Sequence, residues 1–156
     1  MKQQKILKLI LIFSIISISM AETNKKKLGY LKVYVNTYND EKIFNDKFVS
    51  KSLQKLLGKE KSHLLENLSV RGPIDMISGE LVISGIAPHQ GGSEEGIVSI
   101  NIYSGEITAV IYSNKKFKIY THQNKYDYLP RSIQNFLILS TSNRNLPKNA
   151  IMITKK

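Results

Sequence analysis

The stretch ELVISGIAPHQGGSEEGIVSINIYSGEITAVIYS, residues 80–113, decides the fold class because three apolar runs of strand length follow one another in it. One similar run precedes this stretch and one follows it. In chain order, the predicted strands are IDMI at 74–77, ELVISGI at 80–86, GIVSINIY at 96–103, EITAVIYS at 106–113 and FKIYTH at 117–122. Connections as short as Ser78-Gly79 cannot cross over to make parallel pairs. The pattern therefore predicts a five-stranded antiparallel meander.

Helical periodicity precedes the predicted sheet. Residues 41–57 place six apolar side chains on one helical face, with Asp40 as a candidate N-cap and Gly58 as a candidate stop. Residues 63–68 can form a short helical turn. The earlier run GYLKVYVNTYND at 29–40 fits a strand by alternation and a helix by spacing, so both readings stay open.

Helical periodicity also follows the predicted sheet. LPRSIQNFLILS at 129–140 predicts a helix with Pro130 at its first position and Ile133, Phe136 and Leu137 toward the sheet. The tail beyond it holds an apolar stub, AIMI, that can dock on the rest of the chain. The predicted fold class is therefore α+β, with helices before and after the sheet.

The first 21 residues predict a cleaved secretory signal. A basic start, MKQQKILK, precedes the apolar run LILIFSIISIS, and Ser19 and Ala21 supply the small residues of a cleavage site. That run of 11 residues is too short to span a bilayer. Cleavage would leave a disordered leader at 22–29 and a single domain at 30–156, without a membrane span. The expected location is the periplasm or the extracellular medium.

The charge is strongly basic but unevenly distributed. The formal net charge is +11, and removal of the predicted signal, which carries three lysines, leaves +8. Residues 72–114 contain no Lys or Arg and carry a charge of -5, which leaves +13 on the other residues. The basic part favours an acidic partner or an anionic surface. The lack of Lys and Arg in the acidic segment has two explanations. The segment is either an organised acidic surface or simply the sheet, in which Lys is scarce.

The residue types needed for catalysis or metal binding are poorly represented. The chain has no cysteine, and its histidines, His63, His89 and His122, lack partners at metal-ligand spacing. For His63 and His122 we expect surface or packing roles. No glycine-rich strand-to-helix turn and no nucleophile elbow occurs in the sequence. We therefore expect no enzymatic activity, no cofactor and no metal.

Basic residues at 115–131 lie close to Tyr120, Tyr126 and Tyr128. Such a mixture can bind nucleic acid by stacking bases beside phosphate contacts. Dispersed lysines more often serve solubility, however, and an exported protein meets little nucleic acid. We therefore predict no nucleic-acid partner.

The connection between the second and third predicted strands is longer than a hairpin needs, and residues 85–96 hold four of the chain's nine glycines. This loop resembles the signature C-K-P-H-D-C of the Ivy family, the inhibitors of vertebrate lysozyme. Pro88 and His89 match the signature. Ile86 and Gly91 stand in place of the cysteines, Ala87 in place of the lysine and Gln90 in place of the aspartate. The order of strands, loop and Leu-Pro helix start is also similar.

The resemblance implies a five-stranded meander between helices, often in a homodimer, and a leading helix over residues 30–40. It implies an exported inhibitor of lysozyme, or of a related peptidoglycan-cleaving glycosidase, that occludes the active site with its loop. The partner-binding residues would be Ile86, Ala87, Pro88, His89, Gln90 and Gly91. Pro88 would limit the entropy lost on binding, and the glycines would allow the reversals. The alternative is a non-inhibitory exported binding or structural module that uses its basic face.

Overall fold

A mixed seven-stranded sheet forms the centre of the computed structural model, which describes residues 27–141 and 147–155. The strands are β1 (Val70–Arg71), β2 (Asp75–Ile77), β3 (Glu80–Ile86), β4 (Glu95–Asn101), β5 (Ile107–Ser113), β6 (Lys116–Thr121) and β7 (Ala150–Thr154). Their order is β1-β3-β4-β5-β6-β7, and β2 pairs with β3 on the same side as β1. The predicted signal at 1–21 and residues 22–26 of the predicted leader lie outside the described residues.

The predicted antiparallel meander is confirmed in strands β2 to β6, each of which pairs antiparallel with the next. The turn at Ser78-Gly79 has positive φ at both residues, 50° and 84°, as a two-residue type I′ hairpin requires. Two strands were not among the five predicted. The short β1 extends the β3 edge, and β7, formed by the apolar stub, pairs parallel with β6. The parallel pair forms because residues 122–149 are long enough to cross over.

Helices cover both faces of the sheet. The α-helices of the described residues are α1 (Asp40–Phe44), α2 (Lys47–Leu57), α3 (Lys61–Asn67) and α4 (Arg131–Thr141). Short 3-10 helices occur at Gly29–Tyr34, Gly58–Glu60 and Tyr126–Tyr128. Within this part of the chain, no helix combines the length and the apolarity needed to cross a bilayer.

The predicted single helix over 41–57 is two helices, α1 and α2, and the predicted N-cap is wrong. Asp46 caps α2, because its Oδ1 accepts hydrogen bonds from the backbone N–H groups of Phe48 at 2.9 Å and Val49 at 3.0 Å. Asp40 makes no side-chain cap; it is buried and forms an ion pair with Arg71 of β1. The predicted stop is confirmed, since Gly58 follows α2 with a φ of +59°.

The segment at 29–40, for which both a strand and a helix were open, is neither a strand nor one continuous helix. Gly29–Tyr34 is a 3-10 helix whose Leu31 is buried. Asn36, with a φ of +60°, then turns the chain before α1 begins. The leading helix over 30–40 that the resemblance implied is therefore interrupted, because a left-handed residue cannot continue a right-handed helix.

The two faces of the sheet bury separate apolar clusters, one under α1 to α3 and one under α4. This explains why the strands read as continuous apolar runs. On the α4 side, Ile133 and Leu137 are fully buried, and the Phe136 ring meets Phe117 edge-on with a centroid separation of 6.4 Å. The predicted face of α4 is thus confirmed, although the helix begins at Arg131, one residue after Pro130. The sheet and its covering helices hold the β3–β4 loop at one end of the molecule.

Candidate functional site

The six predicted site residues lie together at the connection between β3 and β4. Ile86, the last residue of β3, is half-buried and pairs with Glu95, so the loop proper is residues 87–94. Ala87 is 1% exposed and fastens the start of the loop to the domain. The remaining four, Pro88, His89, Gln90 and Gly91, are exposed.

The tip of the loop is a tight turn centred on Pro88 and His89. The Gln90 N–H donates to the Ala87 carbonyl at 3.1 Å and closes the turn. Proline at the second position and a φ of +59° at His89 are the features of a type II turn. The third position of such a turn favours Gly or Asn, so histidine there stores backbone strain. The turn leaves His89 exposed at the tip of the loop, at the cost of that strain.

The second half of the loop is ordered by its own hydrogen bonds. The Gln90 carbonyl accepts from the N–H groups of Ser93 at 3.1 Å and Glu94 at 3.0 Å. The Ala87 N–H donates to the Glu94 carbonyl at 3.0 Å and closes the base. Gly92 has a φ of +82° and donates its N–H to Glu95 Oε1 at 3.2 Å. The loop is therefore a closed, hydrogen-bonded structure without a disulfide.

The expected role of the glycines is corrected in part. Gly92 allows a reversal, but Gly85 lies inside β3, before the loop begins. A Cβ at Gly85 would lie 2.8 Å from the Val70 carbonyl oxygen, so glycine there permits close packing against β1. Gly91, one of the two positions that replace a cysteine, has no positive φ, and a Cβ built on it would lie 3.4 Å from Ile86 Cδ1.

Glu94, at the C-terminal end of the loop, forms a hydrogen-bonded cluster with the domain. Its carboxylate accepts from Ser113 Oγ at 2.7 Å, lies 2.8 Å from His63 Nε2 and accepts from Asn67 Nδ2 at 3.3 Å. Burial raises the pKa of the Glu94 carboxyl, but the hydrogen bonds from Ser113, His63 and Asn67 together lower the pKa below the ordinary glutamate value. We call these four residues the Glu94 cluster.

The Glu94 cluster was not predicted from the sequence. His63 was expected to have a surface or packing role, and it instead bonds to the base of the candidate loop. The one available signal was the spacing of His63 and Asn67, which places both side chains on one face of a helix. The expected surface role of His122 agrees with its exposed ring, whose Nδ1 bonds to the Lys155 carbonyl at 2.7 Å.

The acidic segment at 72–114 directs several carboxylates inward. Glu80 is 8% exposed and accepts hydrogen bonds from Ser132 Oγ at 2.6 Å and Ser99 Oγ at 3.1 Å. Glu106 accepts from Gln123 Nε2 at 2.6 Å. These bonds agree with the interpretation that the segment is poor in Lys because it forms the sheet. Steering of a basic partner by this segment stays a prediction.

Two further surfaces bear on other functions. Of the tyrosines considered for base stacking, Tyr120 is buried, Tyr126 has a buried hydroxyl and Tyr128 is 58% exposed. They do not form a common stacking surface.

A basic face lies elsewhere, along α2, with Lys61 of α3 beside it. Its lysines, spaced by four residues along α2, are Lys47, Lys51 and Lys55.

Metal binding finds no support in the described part of the chain, where no three His, Asp or Glu side chains are grouped to hold an ion.

A protein-family model matches more than half of the chain. The model described as inhibitor of vertebrate lysozyme (Ivy) matches residues 49–143, a range that starts within α2 and includes the whole β3–β4 loop. No curated protein and no solved structure matches the chain.

Proposed function

This chain belongs to the Ivy family, and we propose that it inhibits a lysozyme-type glycosidase by inserting the loop around His89 into the active site. Family membership implies a protein inhibitor of vertebrate-type lysozyme, which agrees with the prediction that the chain is not an enzyme. The finer statement, that residues 86–91 occlude the catalytic groove, is our proposal. A related peptidoglycan-cleaving enzyme is a target of the same chemical class.

The observation that carries the proposal is the position of His89. It lies at the exposed tip of a closed turn, with a φ that is unfavourable for a side-chain-bearing residue. Binding residues are disproportionately found on loops held by a rigid scaffold, and the exposed tip of this loop is such a position. The hydrogen bonds at 87–94 order the tip before binding, so less entropy is lost on association.

The chemistry of the target suits an imidazole. Retaining glycosidases hold two carboxyl groups roughly 5 Å apart on either side of the scissile bond. An imidazolium has two ring N–H donors that point in different directions, so it can contact both carboxyl groups at once. We propose that His89 makes these contacts, while Pro88 and Gln90 exclude substrate from the groove.

Export to the periplasm or the medium is part of the proposal, because peptidoglycan-cleaving enzymes act there. It is supported by the signal-like sequence at 1–21. The intact mass of the exported protein tests it. We expect the mass of a chain that begins at Glu22. A membrane-bound species that keeps residues 1–21 would contradict export of the cleaved protein. The homodimer implied by the resemblance stays a prediction that sedimentation can check.

The alternative function, a non-inhibitory binding module, is supported by the basic face. Lys47, Lys51 and Lys55 follow one another at one-turn spacing on α2, and Lys61 donates to Ser50 Oγ at 3.2 Å beside them. This face favours an anionic partner. Replacement of these four lysines by glutamine would abolish retention on an anionic matrix if the face binds such a partner.

The test of inhibition is the lysis of bacterial cell walls by vertebrate-type lysozyme, with and without the purified chain from Glu22. We expect lysis to fall with increasing inhibitor and the four-lysine variant to inhibit as well as the parent. If the parent inhibits neither this lysozyme nor bacterial lytic glycosidases at micromolar concentration, the inhibitor function is wrong. The basic-face module would then be the better supported function.

A further inference from the structure

The loop that carries His89 is attached to the domain at few points. Residues 88–93 are exposed, and the side chains that fasten the two ends are the buried Ala87 and the hydrogen-bonded Glu94. We propose that Glu94 is a positioning residue whose carboxylate clamps the loop to α3 and β5, holding His89 in the orientation that binds the target. This inference rests on the proposed function and adds a residue that does not itself touch the glycosidase.

The clamp joins the loop to two separate elements. His63 and Asn67 belong to α3, and Ser113 is the last residue of β5. Because a carboxylate is only an acceptor, His63 Nε2 must carry the proton in its 2.8 Å contact. Donors from two directions fix both carboxylate oxygens, with Ser113 on Oε1 and with His63 and Asn67 on Oε2. The carboxylate therefore cannot rotate freely, and neither can the loop base.

The clamp is itself held in place. Asn67 is 1% exposed, and its Nδ2 also donates to the carbonyls of Glu95 at 3.0 Å and Tyr112 at 3.3 Å. His63 Nδ1 lies 3.5 Å from Glu60 Oε2, which Lys118 Nζ approaches to the same distance. Hydrogen bonds to a charged acceptor are stronger than neutral ones. In a chain without cysteine, this network supplies a constraint on the loop that involves no covalent bond.

The sharpest variant is Glu94→Gln, which keeps the size and removes one acceptor. The amide group would direct an NH₂ at a site now surrounded by donors, so at least one of the three contacts is lost. Glu66→Gln is the matched control. Glu66 lies on α3, is exposed, and lines the same small cleft of about 150 Å³ between α3 and the loop. Both variants remove one negative charge.

The first readout needs no target enzyme. Amide hydrogen exchange of the free protein reports the loop through Gln90, Gly92 and Ser93, whose N–H groups donate within it or to its base. In Glu94→Gln we expect these amides to exchange about tenfold faster or more, as loss of a charge-assisted bond predicts. Exchange in the central strands β4 and β5 should not change, and Glu66→Gln should behave as the parent. Loop exchange within a factor of two of the parent would overturn the clamp.

The second readout separates positioning from other roles. The affinity of Glu94→Gln for the inhibited lysozyme should fall about tenfold, mostly through faster dissociation. A disulfide formed by Ile86→Cys with Gly91→Cys in the Glu94→Gln background should restore it, because the staple constrains the loop independently. A loosened loop with unchanged affinity, or a staple that forms without restoring affinity, would contradict the proposal. If the parent binds no glycosidase, the proposed function fails, and the exchange result alone decides whether Glu94 clamps the loop.

Discussion

Glu94 Oε2 lies 2.8 Å from His63 Nε2, a hydrogen bond between residues 31 positions apart that ties the β3–β4 loop to helix α3. The bond is one of three that stabilise the ionised form of Glu94. Because the pKa of this carboxyl is lower in the folded chain than in the unfolded chain, ionised Glu94 favours folding. The loop base thus has a stability that depends on pH.

The sign of the pH effect follows from the lowered pKa. Stabilisation by Glu94 is fully present above the ordinary glutamate pKa, and it is lost as the pH falls through the lower pKa of the folded chain. Urea unfolding of the parent and of Glu94→Gln, measured from pH 7 to pH 3, checks this. The difference in free energy of unfolding should shrink as the pH falls in that acidic range. A difference that stays constant would show that ionisation of Glu94 does not contribute.

His89→Ala should weaken binding to the target without lowering the stability of the fold. The side chain is exposed, and the turn is closed by backbone atoms of Ala87 and Gln90. A residue that dominates an interface typically contributes 2 kcal/mol or more, roughly thirtyfold in the dissociation constant. His122→Ala, at another exposed histidine, is the matched control. Titration calorimetry measures both, and an unchanged affinity for His89→Ala would remove the imidazole from the mechanism.

His89→Gly tests the strain in the turn separately from the imidazole. Relief of the unfavourable φ of +59° favours the folded state by roughly 1 to 2 kcal/mol, whereas the greater freedom of glycine in the unfolded chain costs less, about 0.4 to 1 kcal/mol. Glycine should therefore be more stable than alanine at this position, although both lose binding. Thermal unfolding of the two variants supplies the comparison. If alanine is the more stable, the turn does not need a left-handed residue.

The strands could be predicted closely because their signal is local. The apolar run at 80–86 is bounded by the Ser78-Gly79 turn, and the observed β3 has those same limits. The cap was predicted wrongly, because Asp40 precedes apolar periodicity in the sequence just as the true cap, Asp46, does. The first helix ends at Phe44 with Asn45 as its C-cap, and Asp46 then caps α2.

The loop residues could be found from sequence, but what holds them could not. Pro88 and His89 are neighbours in the chain, so their turn leaves a local pattern. The Glu94 cluster instead joins residues that lie 19, 27 and 31 positions from Glu94. Such contacts depend on how α3 packs on the sheet. β7 was similarly hidden, because its five residues form a strand only against the exposed edge of β6.

The final prediction concerns Ile86→Cys with Gly91→Cys, a disulfide that would close the loop at the positions where the resemblance places two cysteines. Gly91 has no positive φ that cysteine would resist, and a Cβ at this position would lie 3.4 Å from the Ile86 side chain. Both observations favour formation of the staple, which requires the two Cβ atoms to lie about 3.5 to 4.5 Å apart. It should tighten inhibition by removing loop entropy that is otherwise lost on binding.

The expected gain is about fivefold, or roughly 1 kcal/mol, near the lower end of what such a constraint can supply. The reason is that the turn hydrogen bonds and Glu94 already order much of the loop, so less entropy remains to be removed. Inhibition assays of the oxidised and reduced forms measure the gain, with mass spectrometry verifying an intramolecular bond. The reduced form should bind as the parent does. Equal inhibition by both forms would mean that loop order does not limit affinity, and a gain above about thirtyfold would mean that the hydrogen bonds order the loop far less than its geometry indicates.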